Sequence, residues 1–328
     1  MHVMVIGAAG MIGRKLVAEL AKKGEIGSRS FERLTCTDIV APDVPAFAGD
    51  SETIAADLTK EGVAEMLISK RPDVIFHLAA IVSGEAEADF EKGYRINLDG
   101  TRALFEAIRL EGAHETYFPR LVFSSSIVVY GEPLPPVIDD TFFLTPLTSY
   151  GTQKAIGELL LSDYSRRGFF DGIGIRLPTI SIRPGKPNQA ASGFFSSILR
   201  EPLVGQEAVL PVEESVRHWF ASPRAAVNFL THAAEIDTEQ LGARRSLTMP
   251  GLAATVGEEI EALRRVAGEK AVKLIRREHN PVVARIIAGW PQSFNAERAT
   301  ALGFRAESSF DEIIRVHIRD ELGDMLPA

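Results

Sequence analysis

Tyr150 and Lys154 stand four residues apart in Ser149-Tyr150-Gly151-Thr152-Gln153-Lys154, a spacing that puts both on one face of a helix. A phenol alone, with a reference pKa near ~10, is a poor base at neutral pH. An ammonium one turn away favours the phenolate and brings it towards the working range. Upstream lies Ser124-Ser125-Ser126, from which a hydroxyl at a strand end can grip the oxygen whose proton is exchanged. Such a trio suits oxidation of a secondary alcohol, or reduction of the ketone, beside a hydride acceptor. Taken alone, Tyr-x-x-x-Lys also describes an exposed helical pair, so the surrounding elements must decide.

Those elements begin with Met1 to Ile6, a short apolar stretch that predicts a strand buried on both faces of a parallel sheet. It runs into Gly7-Ala8-Ala9-Gly10-Met11-Ile12-Gly13, followed by helical periodicity from Arg14 to Leu20. In this strand, turn and helix, Gly7 permits the tight turn, Gly10 lets backbone approach a pyrophosphate, and Gly13 allows helix and strand to pack closely. The helix start at Met11 and Ile12 offers N–H groups to the phosphates. Leu34 to Asp38 predicts the second strand. Asp38 stands where a ribose-binding carboxylate belongs and would repel a 2′-phosphate, so the expected cofactor is NAD rather than NADP. Asp57, with Leu58 beside it, follows a third short strand and either caps the next helix or faces the adenine.

A fourth strand from Asp73 runs through His77 into Leu78, Ala79 and Ala80, where the alanines let a cofactor lie close to the backbone. His77 reads as a satisfied core histidine, since no second metal-ligand candidate is spaced around it. Asp89 to Glu111 predicts a long helix, within which Asn97 ties neighbouring backbone together. Leu121 to Phe123 is the fifth strand and delivers the three serines at its C-terminal end, the end at which open parallel sheets bind ligands. Glu132 to Thr148 holds four prolines and predicts a loop. The Tyr150 helix then runs to Gly168, and Gly172 to Leu177 is the sixth strand. The expected class is α/β, a doubly wound parallel (Rossmann) sheet with a smaller C-terminal substrate lobe. Residues 1–177 form the cofactor domain, with 220–245 returning to it; 178–219 and 246–328 form the lobe that closes over the sheet's ligand edge.

A chain of 328 residues with 45% apolar and 24% charged residues can bury a sizeable core. Its net charge of −8 argues against a general nucleic-acid or membrane-surface binder. Cys36 is the single cysteine, which excludes an intrachain disulfide and a cysteine-based metal site. No basic leader precedes the first strand, and no apolar run approaches the ~20 residues of a membrane span. A cytoplasmic protein without a metal is expected.

With Gly7, Gly10 and Gly13, Asp38, His77-Leu78-Ala79-Ala80, Ser124 to Gly131, and Tyr150 with Lys154 in order, the chain resembles the extended short-chain dehydrogenase/reductases, the NAD-dependent epimerase/dehydratase family. The resemblance implies Ser126 as the reactive serine and Tyr150 as the acid/base. Lys154 holds the nicotinamide ribose, and hydride moves between substrate carbon and nicotinamide. It also sets Leu58, Leu78, Asn97 and Pro178 among the cofactor residues and implies a homodimer paired through the Tyr150 and Asn97 helices. Ile127 and Val128 stand where dehydratases of the family carry an acidic pair, which disfavours dehydration.

Two further segments depart from the nucleotide-sugar epimerases. Arg176-Leu177-Pro178-Thr179 replaces their Arg-x-x-Asn, and Arg217-His218-Trp219-Phe220 keeps only the arginine of their Arg-Asp-aromatic-x-His-Val. An arginine without those partners can fork onto a carboxylate. The run Pro178 to Asn188, with Ser192 to Ser197, is similar to a narrower subgroup, the D-erythronate dehydrogenases, which oxidise a four-carbon sugar acid at its 2-hydroxyl with NAD. The expected substrate wall is drawn from Ser83, Ser126, Thr179, Arg183, Asn188, Ser192 and Arg217, with a surface or interlobe ion pair as the alternative for each arginine. A nucleotide-sugar 4-epimerase that keeps NAD bound is the second reading. A non-catalytic NAD(H)-sensing protein is the third, and a scaffold protein would leave the ordered motifs unexplained.

Overall fold

The computed structural model describes residues 1–185 and 192–325. The chain divides into two compact units: residues 1–129, 146–177 and 227–248, and residues 130–145, 178–226 and 249–328.

The first unit is built on seven parallel strands: β1 (His2–Ile6), β2 (Arg33–Asp38), β3 (Asp50–Ala55), β4 (Val74–His77), β5 (Arg120–Ser126), β6 (Asp171–Leu177) and β7 (Ser246–Thr248). Their spatial order is β7-β6-β5-β4-β1-β2-β3, so the winding reverses between β1 and β4, the place where such sheets open a crevice. All five residues of β1 are buried, as expected of a strand covered on both faces. Three helices of this unit carry or adjoin the motif residues: α1 (Met11–Lys23), α2 (Gly100–His114) and α3 (Ser149–Arg166). Met4, Ile75, Phe105, Phe123, Leu161 and Phe170 belong to one core cluster on the side of α2 and α3.

The second unit holds a three-stranded sheet whose middle strand, Arg217–Ala221, runs parallel to Thr179–Ile180 and antiparallel to Leu252–Thr255. Helices Gly193–Leu203, Val256–Val272 and Phe310–Glu321 pack around Phe195, Phe220, Ile260 and Ile314.

Several boundaries differ from the sequence reading. The helix expected over residues 89–111 is three segments, with a π-helical stretch at Tyr94–Asp99 between Phe90–Gly93 and α2. The wider turn carries Asn97 inward, where it is buried and its amide is used on both sides. Oδ1 accepts from Ile81 N at 2.9 Å, and Nδ2 donates to Ile81 O at 3.2 Å and to Gln153 Oε1 at 2.8 Å. The sheet has a seventh strand, β7, whose three residues are too few to show a periodicity. Residues 130–145, expected in the first domain, group with the second unit: Ile138 bridges to Phe294, and Asp140 accepts from Arg298 N at 2.8 Å. The return to the first unit begins at 227, because Arg217–Ala221 is already committed to the second sheet.

Helix Val256–Val272 opens with a capping box between Thr255 and Glu258, which satisfies two otherwise orphan amides. The next residue, Glu259, is fully buried, and neither carboxyl oxygen has a hydrogen-bond partner among the described residues. Burial raises its pKa well above the usual carboxylate range. A group that binds its proton more tightly folded than unfolded costs stability as the pH rises from its unfolded pKa, about 4.3, towards its folded one. Glu259→Gln abolishes that slope. Its stability relative to the parent protein is expected to grow by about 1.4 kcal/mol per pH unit within this window. Urea unfolding at pH 5 and pH 7 measures the gap, and a gap that stays constant contradicts the assignment.

Candidate active site

β5 ends in three serines that its surroundings treat differently. Ser124 Oγ donates to His77 O at 3.1 Å. Ser125 is buried and donates to Glu158 Oε1 at 2.5 Å. Ser126 only accepts, from Val128 N at a long 3.4 Å, so its hydroxyl proton alone is uncommitted among the described residues. The structure therefore distinguishes Ser126 by geometry, at the C-terminal edge where β5 leaves the sheet.

Helix α3 starts beside that edge because two glycines allow it. A Cβ on Gly151 would lie 2.3 Å from Val128 O, and one on Gly157 would lie 2.8 Å from the Phe123 ring. The first turn of α3, with Tyr150 in it, is thereby pressed onto the Ile127–Val129 turn that follows Ser126. Thr148 caps the helix, its Oγ1 accepting from Gly151 N at 3.0 Å.

Lys154 lies one turn further in and is buried. Its Nζ donates to Ser124 O at 2.8 Å and stands 4.9 Å from the Phe123 ring centre and 5.6 Å from that of Tyr150. Burial lowers its pKa to about 8, against the opposing pull of the Glu158 carboxylate. Glu158 is itself held by Arg176 of β6 through three contacts: Nε at 3.0 and 3.1 Å and Nη2 at 2.7 Å. Glu158 thus joins α3, β5 and β6 through one buried, charge-compensated cluster. Glu158 does not stand out in the sequence, and Arg176 is marked only as the start of the Arg-x-x-Thr segment, without its partner. The available signal is the stripe Tyr150, Lys154, Glu158 at successive four-residue steps.

His77 is buried, and burial, aided by the Lys154 charge, lowers its pKa to about 3. Thr101 Oγ1 donates to Asn97 O at 2.7 Å and must therefore accept from His77 Nε2 at 2.9 Å. The imidazole is a neutral structural tie, with Nδ1 bare and unpartnered among the described residues.

Several of the expected cofactor residues lie at or just beyond the C-terminal ends of β1, β2 and β4. A Cβ on Gly7 would lie 2.5 Å from Ala79 N, and one on Gly13 would lie 2.1 Å from Gly7 O, whereas at Gly10 it would meet only Gly7 O at 3.4 Å. Gly7 and Gly13 are thus required by the chain's own packing, with Leu78 and Ala79 beside Gly7, while Gly10 is exposed and would meet only the one contact. No side chain caps α1 at Gly10, which leaves the first-turn amides of Met11, Ile12 and Gly13 for an anion. Asp38 accepts from Ala9 N at 2.9 Å and from Ile39 N at 2.7 Å; a carboxylate has about four acceptor sites, so capacity remains for ribose hydroxyls. This donor set fits NAD. Asp57 does not cap the following helix, whose N-cap is Gly62; it closes its own turn by accepting from Thr59 N at 3.0 Å and Thr59 Oγ1 at 2.8 Å. Leu58 packs against the core cluster, and Asn97 spends its amide on Ile81 and Gln153.

Of the proposed substrate wall, Ser83 begins the short helix Ser83–Ala88 of the first unit. Thr179, Arg183, Ser192 and Arg217 belong to the second unit, as does Pro178 of the expected cofactor set, and Asn188 lies outside the described residues. Arg183 Nε donates to Ile180 O at 3.0 Å and Nη2 to Ser192 Oγ at 2.7 Å. Thr179 Oγ1 meets His218 Nε2 at 2.6 Å. Arg217 is engaged elsewhere, with Nη2 3.5 Å from Glu258 and Nη1 donating to Ala253 O at 3.2 Å.

Comparison with known proteins places the chain among relatives. Residues 3–235 match the profile of the NAD dependent epimerase/dehydratase family. The chain is 48% identical to a D-erythronate dehydrogenase of Cupriavidus necator over 324 residues, 98% of each chain. It is 39% identical to a D-erythronate dehydrogenase of Haemophilus influenzae over 322 residues, covering 98% of this chain and all of the other. A crystal structure described as a nucleoside-diphosphate-sugar epimerase from Agrobacterium tumefaciens superposes with a TM-score of 0.98 at 68% identity, covering 100% of this chain and 96% of that one.

Removing one member of a buried ion pair leaves the other charged and unmatched, at a cost of about 3–5 kcal/mol. Glu158→Leu should therefore lower unfolding stability by about that amount, and the double variant Glu158→Leu/Arg176→Met should recover most of it. Urea denaturation checks both, and a single-variant loss below about 1 kcal/mol contradicts the role given to the pair.

Proposed function

The chain belongs to the NAD dependent epimerase/dehydratase family, and from that premise we propose that it is an NAD-dependent dehydrogenase of small sugar acids. It oxidises the 2-hydroxyl of D-erythronate, or of a near analogue, to the 2-oxo acid. The observation that carries this reading is full-length identity of 48% and 39% to two D-erythronate dehydrogenases. The set Ser126, Tyr150 and Lys154 agrees with it.

When bound, NAD supplies the acceptor for the hydride that leaves C2. The chain's own groups handle the proton and the charge. Tyr150, as phenolate, takes the proton of the 2-hydroxyl. Ser126, whose hydroxyl proton is uncommitted, donates a hydrogen bond to the same oxygen as it becomes a carbonyl. Lys154 keeps a positive charge beside Tyr150 and so favours the phenolate. Because its pKa is lowered to about 8, that charge is present at neutral pH and is lost as the pH rises further. An acid/base group so placed contributes ~10²–10⁴-fold in rate. For the substrate carboxylate, Arg183 is the better candidate. It is held by Ile180 and Ser192, while Arg217 already faces Glu258.

The working form in this reading is a cytoplasmic homodimer. No helix among the described residues is long and apolar enough to cross a membrane. Leu110 on α2 and Leu159 on α3 are 41% and 65% exposed, apolar surface of the kind a paired helix face would cover.

Mixed with NAD and D-erythronate, the protein should produce NADH continuously, read by absorbance. Tyr150→Phe should lower kcat by ~10²–10⁴-fold with NAD affinity nearly unchanged; near-normal turnover would remove Tyr150 from the chemistry. The resemblance to the structure described as a nucleoside-diphosphate-sugar epimerase favours a second reading, under which NADH does not accumulate and no sugar acid is consumed. Leu159→Glu should halve the mass found by light scattering, whereas an unchanged mass would place any dimer contact elsewhere.

A further inference from the structure

Thr179 opens the strand Thr179–Ile180, two residues beyond the C-terminal end of β6, and is half-buried. His218 lies on the adjoining strand Arg217–Ala221 and is buried, stacked on Phe195 with ring centres 5.3 Å apart and planes 7° from parallel. Its Nδ1 stands 2.8 Å from Pro291 O, which can only accept, so Nδ1 carries the ring proton. Burial lowers the His218 pKa to about 4; the positive charge of Arg183 acts in the same direction, and the Pro291 bond opposes both. In the neutral ring Nε2 is bare. The 2.6 Å contact to Thr179 Oγ1 is therefore a bond from the threonine hydroxyl to the imidazole. With its proton spent, the Thr179 oxygen can only accept.

We propose that Thr179 accepts a hydrogen bond from a hydroxyl of the sugar acid other than the one oxidised, and that His218 is the positioning residue that makes it acceptor-only. The inference rests on the sugar-acid dehydrogenase reading and adds to it a polarity. This part of the second unit selects a ligand that presents an O–H, and rejects one that presents hydrogen, fluorine or a carbonyl there. A buried acceptor left unmatched costs about 1–3 kcal/mol, enough for about 10- to 100-fold in discrimination.

The test measures kcat and KM for D-erythronate, its 3-deoxy and 4-deoxy analogues and the corresponding fluoro compounds. With the parent enzyme, one of the two positions should show a loss of about 10- to 100-fold in kcat/KM. The fluoro compound should be as poor as the deoxy one. Thr179→Val should erase that difference by raising the KM for D-erythronate, without changing the KM for NAD. Thr179→Ser should restore it. His218→Phe, which keeps the ring stack but removes the acceptor, should weaken the selection through KM rather than kcat; if it fails to fold, the two threonine variants decide. A Thr179→Val enzyme that discriminates as the parent does overturns the inference while the dehydrogenase reading stands. A parent enzyme that makes no NADH from any four-carbon acid overturns both.

Discussion

The site depends on keeping an ammonium ion out of water. An isolated charge in a protein interior costs many kcal/mol unless it is matched, and the group responds by shifting its pKa, as Lys154 does. The surroundings supply partial matches in three forms: the Ser124 carbonyl, the faces of Phe123 and Tyr150, and the Glu158 carboxylate. None neutralises the lysine completely. Glu158 is itself shared with Arg176 and Ser125, so its pull on Lys154 is tempered. The outcome is a charge kept at neutral pH yet held in a medium of low polarity, where its influence on a neighbouring phenol is greatest.

That electrostatic arrangement demands short distances between a helix and a sheet, and the glycines provide them. Gly151 and Gly157 let α3 settle on the end of β5 and on Phe123, where any Cβ would collide. Gly7 and Gly13 do the same for α1 against β1 and β4. Gly10 differs in kind: its face is open, as a backbone that must admit a ligand requires. The π-helical turn at Tyr94–Asp99 belongs to the same scheme. By rotating Asn97 inward it links the loop after β4 to Gln153 on α3, so the helix bearing Tyr150 is braced from both sides.

Much of the first unit is legible in the sequence because parallel sheets write themselves plainly: continuous apolar strands, glycine turns and four-residue helical steps. The order Gly7, Asp38, Ser126, Tyr150, Lys154 is readable for that reason: the first four fall at a strand end or helix start, and Lys154 one turn into α3. What stays hidden depends on contacts distant in sequence. Nothing pairs Arg176 with Glu158 until β6 and α3 bring them together. The three residues of β7 carry no period, and the proline-rich stretch at 130–145 gives no sign that Ile138 will pair with Phe294. Asn97 reads as a backbone tie, yet nothing around it announces the π turn that aims it. Asp57 admits two roles in the sequence, and the structure removes the cap, because Thr59 engages its Oδ1 and Gly62 starts the next helix.

The two units differ in how much their chemistry tolerates change. In the first, Ser126, Tyr150 and Lys154 are fixed by backbone approaches closer than a methyl group allows, so small substitutions nearby would displace these side chains. In the second, Thr179 donates to His218 Nε2 and Arg183 donates to Ser192 Oγ. Removing the His218 acceptor frees the Thr179 hydroxyl to donate, whereas Arg183 can only donate whatever its partner. Under the function proposed above, substrate preference follows hydrogen-bond polarity at Thr179, while proton transfer rests on Ser126 and Tyr150. Relatives that share this fold and differ in the molecule they oxidise or epimerise are an expected consequence of that separation.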